Sequence, residues 1–462
     1  QWLFYAFSKL RTLLYSIRRL MLPHEFYAKE NKKNMKSAKT FSDRWCLAMN
    51  IERMKKDIRV LSGFTEPCEK GITRPSYTAS YRRAIDYLKR EMAQAGLQVH
   101  EDGIGNLYGK LPGQNSLAAT IISGSHIDTV RCGGAYDGIA GVVCALEAAR
   151  TLKGEGCSLE HPFEVMGIVE EEGTRFGHVM MGSQFVTGSY DASRLNQFFD
   201  ADGISLESAL KGYLGNVDLS DVCRKGENVS AYVELHIEQG PLLEESHTDI
   251  GIVENIVGIS VLSVTIRGVA GHAGTLPMDL RRDAGLGAFR LILDGNNYVL
   301  QNYTGRATIT VGHFHLEPDS ANVVPGKCVF TVDIRSGDEK IIDNITRYFQ
   351  KISRKLEKES GLGVEIETLT KKKPVALDHE YQDIIQESCK NLGYTCRKMD
   401  SGAGHDAMNF AGIWRSAMIF IPCRKGITHH PDEFVEDRWL ENGAEVLFET
   451  IRQIDRIASQ TC

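Results

Sequence analysis

Short apolar strands alternate with helix-length segments along most of this chain, and the alternation breaks once, between residues 257 and 370. A helix is expected from Tyr81 to Ala95, where Tyr81, Ile85, Leu88, Met92 and Ala95 recur at helical spacing and Gly96 follows as a stop. Strands are expected at Thr120–Ser123, Phe163–Val169 and Tyr232–Leu235, with a helix over 139–152 after the first. Such alternation predicts an α/β fold on a largely parallel sheet. From Ile259 the pattern changes to a strand (Ile259–Arg267), a helix (Leu280–Leu293), two strands (Ala307–Val311, Cys328–Ile334), a long charged helix (Glu339–Glu359, closed by Gly361) and a last strand (Val364–Leu369). This βαββαβ order is the ferredoxin-like one. It predicts a compact α+β domain at 257–370, inserted between a first part of the main domain at 46–256 and a second part at 371–462. A length of 462 residues exceeds what one core ordinarily supports, which agrees with that division.

Composition narrows the class. Apolar residues make up 42% and charged residues 25%, as in soluble globular proteins. The net charge of −6 argues against nucleic acid as a partner. No apolar run is long enough to span a bilayer, so no membrane partner is expected. The eleven cysteines are scattered, odd in number and free of CxxC pairs, which predicts reduced thiols and a cytoplasmic location. Residues 1–45 stand apart. The first forty hold nine Lys or Arg against two Glu, with clusters such as Trp2-Leu3-Phe4-Tyr5 and Leu13-Leu14-Tyr15. This basic stretch reads as an upstream extension before a start at Met21 or Met35, with a targeting segment or membrane-surface helix as the alternative.

Polar residues that carry chemistry gather in five segments. GSHIDTVRCGGAYDG (124–138) sets His126, Asp128 and Asp137 among glycines between a strand and a helix, a spacing that suits a borderline divalent metal. IVEEEGTRFG (168–177) places Glu170, Glu171 and Glu172 at the end of a buried strand, where adjacent carboxylates repel unless a cation or protons compensate. ELHIEQGPLLEE (234–245) and KGITHHPDEF (425–434) each put histidines after a strand-like run. SGAGHDAMNFAG (401–412) is a Gly-rich turn whose N–H groups suit an anionic or polar ligand. In open α/β sheets, ligands bind at the carboxyl ends of strands. His126, Glu171, Glu172, His236 and His429 all follow predicted strands, so a single site is expected from residues scattered along the chain.

Taken together, GSHIDTV, GGAYDG, EEEGTRF, ELHIEQG, GHAGTLPMD, ANVVPG, SGAGHDA and GITHHPDE resemble the hydantoinase/carbamoylase family of amidohydrolases, within the superfamily of two-metal aminoacylases and carboxypeptidases. The resemblance covers roughly residues 50–455; the segment 1–45 lies outside it. It departs from the family's wording at Leu276 and at Thr428-His429-His430. It implies two divalent ions per subunit, Zn²⁺ or Mn²⁺ with Co²⁺ or Ni²⁺ as substitutes. His126 and Glu172 would be terminal ligands, one on each ion, completed by His236 and His429 and bridged by Asp137. Asp128 would orient His126 from behind, and Glu171 would be the general base.

The resemblance also implies a substrate pocket. His272 would stabilise the oxyanion, brought in from the partner subunit of a homodimer formed through the inserted domain. Arg335 would hold a substrate carboxylate, with Asn322, Gln239, Gly402, Ala403 and Gly404 completing the pocket. Hinges are expected near Val257–Gly258 and Lys371–Pro374. The implied reaction is hydrolysis of a ureido C–N bond in a small carboxylate, releasing ammonia and CO2. Allantoate is the first choice, and N-carbamoyl-L-amino acids (or β-ureidopropionate) the runner-up. A dipeptidase or aminoacylase would use the same metal core, but the EEEG and HIEQG wordings speak against it; a binding protein without metal is disfavoured by the complete ligand set.

Overall fold

The computed structural model describes residues 49–459 apart from 155 and 157, so the basic extension at 1–45 falls outside the described residues. The chain first lays down β1 (Gln98–Glu101), β2 (Leu107–Leu111), β3 (Thr120–His126), β4 (Phe163–Ile168), β5 (Val229–Ile237) and β6 (Ile250–Ile256). It then builds β7 (Gly258–Arg267), the short β8 (Gly271–His272), β9 (Ala307–Thr310), β10 (Phe314–Glu317), the short β11 (Val323–Val324), β12 (Lys327–Ser336) and β13 (Gly363–Lys372). It closes with β14 (Val375–Ala376), β15 (Cys396–Ser401) and β16 (Ser416–Ile421).

The first and last groups share one nine-stranded sheet, ordered β1-β2-β4-β3-β5-β16-β6-β14 with β15 beside β6. Its centre, β4-β3-β5-β16, is parallel. Most flank pairings are not: β1–β2, β2–β4, β16–β6 and β6–β14 pair antiparallel, while β15 runs parallel to β6. The sheet is therefore mixed, with a parallel centre. Where a tight loop replaces a helical crossover, as between β1 and β2, neighbouring strands must reverse.

The helix Ile139–Gly154 is mostly apolar and buried along nearly its whole length, with its buried Glu147 and Arg150 paired to Arg53, Asp57 and Glu91. It packs on β3, β4 and β5 and is covered by the helices Ile51–Ser62 and Asp437–Ala458. Gly141 sets that approach: a Cβ there would lie 2.3 Å from the Leu235 carbonyl oxygen. Side chains alternate along β5, so Tyr232 emerges on the opposite face, where its ring lies 4.4 Å from that of Phe410.

The second sheet has the order β10-β12-β7-β13, with β9 also on β12, and every pairing is antiparallel. β9 and β10 lie end to end along one edge of β12, so the second strand of the βαββαβ pattern is broken in two. Its first helix runs Ala284–Asn302, later and longer than the periodicity suggests. The shift arises because Asp283 caps it through Leu286 N–H (3.0 Å), leaving Met278–Leu280 as a separate turn. With the helix Glu339–Ser360 it covers one face of the sheet, burying Leu262, Val264, Phe330, Val332 and Phe349. The other face, including Ile259 and Val261, stays half-buried. The chain changes sheet across the single residue Val257 and returns between Lys372 and Val375. No helix among the described residues is long and apolar enough to cross a membrane.

Candidate metal centre

The four parallel strands lie side by side, and their carboxyl ends open at one edge of the sheet. His126 ends β3, Glu171 and Glu172 follow β4, His236 lies near the end of β5, and His429 sits in the loop after β16. Topology thus gathers residues that are far apart in sequence.

Asp137 occupies the middle. Its Oδ1 lies 3.1 Å from His236 Nε2 and 3.6 Å from His126 Nε2. Its Oδ2 lies 3.1 Å from His429 Nε2, which is 3.2 Å from Glu172 Oε1. Gly138 makes this possible: its φ is +66°, and a Cβ there would stand 2.5 Å from the His126 ring. Two groups result, His126–Asp137–His236 and Asp137–Glu172–His429, with ligand atoms within 4.8 Å of one another in each and Asp137 common to both.

The donor set fits metal ions. His126 Nδ1 lies 3.0 Å from the Asp128 main-chain oxygen, and His236 Nδ1 lies 2.9 Å from that of Ile237. A carbonyl only accepts, so both Nδ1 atoms carry the proton and both Nε2 atoms present lone pairs. Those lone pairs are 3.5 Å apart and face a carboxylate oxygen. That convergence is repulsive unless a cation lies within it, and imidazole with carboxylate suits Zn²⁺ or Mn²⁺.

Burial works to raise the Asp137 carboxyl, but the three imidazoles beside it outweigh burial and hold the group well below the usual range. Hydrogen bonds to Asp137 and Glu172 push His429 up to about 10. Burial pushes Glu171 well above the usual range. The three consecutive glutamates part by direction. Glu171 and Glu172 line a cavity of about 300 Å³. Glu170 accepts from Phe176 N–H (3.3 Å), and burial pushes it up to about 8.

Several expected positions differ. The Asp128 carboxylate does not stand behind His126; it accepts from the main-chain N–H groups of Glu171 and Glu172, each at 3.1 Å. The main-chain oxygen of Asp128 reaches His126 instead, leaving the side chain free to fix the loop after β4. His272 and Asn322 do not reach the cavity in their own chain. The β8–β11 ribbon pairs His272 with Val323 and leaves His272 and Asn322 exposed. Arg335 does line the cavity, yet it is already bonded to Asp333 (3.0 and 3.2 Å) and to the Gly402 carbonyl (3.0 Å). Ala403 and Gly404 form part of the wall. Gln239 Nε2 sits against Asp137, 3.2 Å from Oδ2. Of the adjacent histidines, His429 faces Asp137, while His430 is exposed and accepts from Asp432 N–H.

Sequence reasoning passed over two further residues. Glu433 is buried, and its Oε1 accepts from Tyr136 N–H (2.9 Å) and Asp137 N–H (3.1 Å), while Oε2 lies 3.1 Å from Thr428 Oγ1. It ties the Asp137 loop to the His429 loop, and a Cβ on Gly134 would collide with it. Its place inside KGITHHPDEF was the available signal. Lys372 lines the cavity from the end of β13, and nothing in its lysine run singles it out.

The model of peptidase family M20/M25/M40 matches residues 122–453. The N-carbamoyl-L-amino-acid amidohydrolase of Paenarthrobacter aurescens is 37% identical over 88% of this chain and 98% of its own length. The allantoate amidohydrolase of Escherichia coli (strain K12) is 36% identical over 84% of this chain and 94% of its own. Among solved structures, a hydantoinase/carbamoylase family amidase from Burkholderia multivorans superposes with a TM-score of 0.83 at 33% identity, covering 88% of this chain and 98% of that one.

Proposed function

Because the chain belongs to peptidase family M20/M25/M40, in its hydantoinase/carbamoylase amidohydrolase group, and is a hydrolase of non-peptide C–N bonds, we propose that it cleaves the ureido C–N bond of a small carboxylate, releasing ammonia and CO2. The observation that carries this reading is one cavity in which buried Glu171 adjoins the two ligand groups sharing Asp137, with Arg335 also in its lining.

Two divalent ions, held by His126–Asp137–His236 and Asp137–Glu172–His429, would supply Lewis acidity toward the ureido carbonyl and lower the pKa of water there. Glu171 takes the proton of the attacking water on its carboxylate and returns it to the leaving nitrogen. Asp128, through the N–H groups of Glu171 and Glu172, keeps both carboxylates aimed into the cavity. Arg335, steadied by Asp333, turns its remaining N–H groups to the substrate carboxylate, and the Gly402–Gly404 turn borders it.

His272 accepts on Nδ1 from Gly274 N–H (3.1 Å) and Thr275 N–H (3.2 Å), so Nε2 carries a proton ready to donate to an oxyanion. It does not line the cavity of its own chain, and a second copy would supply it. Leu286, Phe289, Leu293 and Leu300 lie exposed along the helix Ala284–Asn302, an apolar stripe suited to a homodimer through the second sheet. Closure would turn on Val257–Gly258 and Lys371–Pro374, where the chain passes between sheets.

Allantoate stands first on the wording of the motifs. The second reading, an N-carbamoyl-L-amino acid, is favoured by the Paenarthrobacter aurescens relative, aligned over 98% of its length. Ammonia release is to be measured from allantoate and a panel of N-carbamoyl-L-amino acids after chelation and return of each metal. Activity should vanish with chelator and return with metal. Glu171→Gln should lower kcat by about 10²-fold or more while metal content stays at the wild-type level. No turnover of any ureido acid would overturn the proposal, and full activity in Glu171→Gln would remove the base assignment.

A further inference from the structure

Three consecutive lysines close β13, and the fold divides them. Lys371 Nζ lies 2.7 Å from Asp343 and Lys373 Nζ 3.4 Å from Glu339, both acids on the helix that covers one face of the second sheet. Lys372 points the other way. It lines the 300 Å³ cavity, and its side chain makes no hydrogen bond or ion pair with the described residues.

A β-bulge decides which lysine faces in. Thr368 stands opposite Leu262 and Thr370 opposite Val261, so Leu369 is an extra residue. Beyond it Lys372 falls opposite Ile259; without the extra residue Lys371 would take that place. Arg335 is opposite Ile259 on the other side. Lys372, Ile259 and Arg335 thus form one row across β13, β7 and β12, with outer strands about 10 Å apart. Charge separates the two ends. Asp333 already pairs with Arg335, whereas no carboxylate among the described residues pairs with Lys372. A ureido acid with one carboxylate gives Arg335 its partner and leaves Lys372 with none.

We propose that Lys372 is a second anion-binding residue of the cavity, selecting ureido acids that carry a carboxylate besides the one met by Arg335. This rests on the ureido-hydrolase reading and favours acidic N-carbamoyl-amino acids over allantoate. The test compares kcat/KM for N-carbamoyl-L-aspartate with that for N-carbamoyl-L-alanine in the wild type, Lys372→Met, Lys372→Glu and Lys371→Met, each loaded with metal. The aspartate-to-alanine ratio should fall about tenfold or more in Lys372→Met, chiefly through KM, and further in Lys372→Glu. It should hold in Lys371→Met and shrink with added salt in the wild type. A ratio within about twofold of wild type in Lys372→Met, or an equal fall in Lys371→Met, overturns the inference. In parallel, calorimetric titration with glutarate and with butyrate should show preference for the diacid in the wild type and its loss in Lys372→Met. If the wild type hydrolyses no ureido acid, the functional reading falls, and this titration still decides the role of Lys372: no diacid preference, or one unchanged in Lys372→Met, overturns it.

Discussion

At Glu433 one buried carboxylate, without a cationic partner, accepts the N–H groups of Tyr136 and Asp137 and lies within hydrogen-bond reach of the Thr428 hydroxyl. Residues behind metal ligands set orientation and typically change affinity about 10–100-fold when lost. Glu433→Ala should therefore weaken metal binding by about that factor, measured by competition with a chromophoric chelator, and Glu433→Gln should recover part of it because its amide oxygen still accepts. Unchanged affinity in Glu433→Ala would show that the two loops hold their positions without it. Glu433 was legible only as part of a motif, since a carboxylate that accepts from main-chain N–H groups leaves no pattern in sequence. Asp128 carries the same lesson. The resemblance implies a side-chain contact with His126, but the main-chain oxygen makes that contact and the carboxylate serves the loop after β4.

Among the elements, the helix His379–Leu392 depends on Asp378 at both ends of its carboxylate. Oδ1 caps Tyr381 N–H (3.1 Å), and Arg415 forks onto both oxygens at 2.7 and 2.8 Å. Asp378→Ala should cost about 1–2 kcal/mol for the cap, read from urea unfolding at neutral pH. Burial works to raise the Asp378 carboxyl, but Arg415 and the cap outweigh it and the net shift is downward. The folded value then lies below the unfolded one of about 3.9. The stabilisation is present above that pH and is lost as pH falls through the folded value, so wild type and variant should converge in acid. A gap that persists there would mean that packing, not charge, is lost. Element types were largely readable because period 2 and period 3.6 differ sharply. The helix Ala284–Asn302 was misplaced at its start because only the structure shows Asp283 acting as a cap.

For the whole molecule, the question is where His272 works. It is exposed and outside the lining of its own cavity, on the separate two-stranded β8–β11 ribbon; β8 precedes in sequence the helix Ala284–Asn302 that bears the apolar stripe of Leu286, Phe289, Leu293 and Leu300. If a second copy supplies it, Glu171→Gln and His272→Ala, each inactive alone, should complement when mixed and re-associated. One site per mixed dimer then keeps both residues, giving about a quarter of wild-type activity after random pairing. No recovery from demonstrably mixed dimers would show that His272 is not supplied by the second copy. The sequence by itself determined the α/β rhythm, the interrupting βαββαβ block and the residue types of the metal centre, because hydrophobic period and ligand chemistry are local properties. Only the tertiary structure decided that β4, β3, β5 and β16 are neighbours, that Asp137 stands between two ligand groups, and that a one-residue bulge turns Lys372 rather than Lys371 toward the cavity. Strand order and register arise from pairings between distant segments, and a shift of one residue reverses every side chain beyond it.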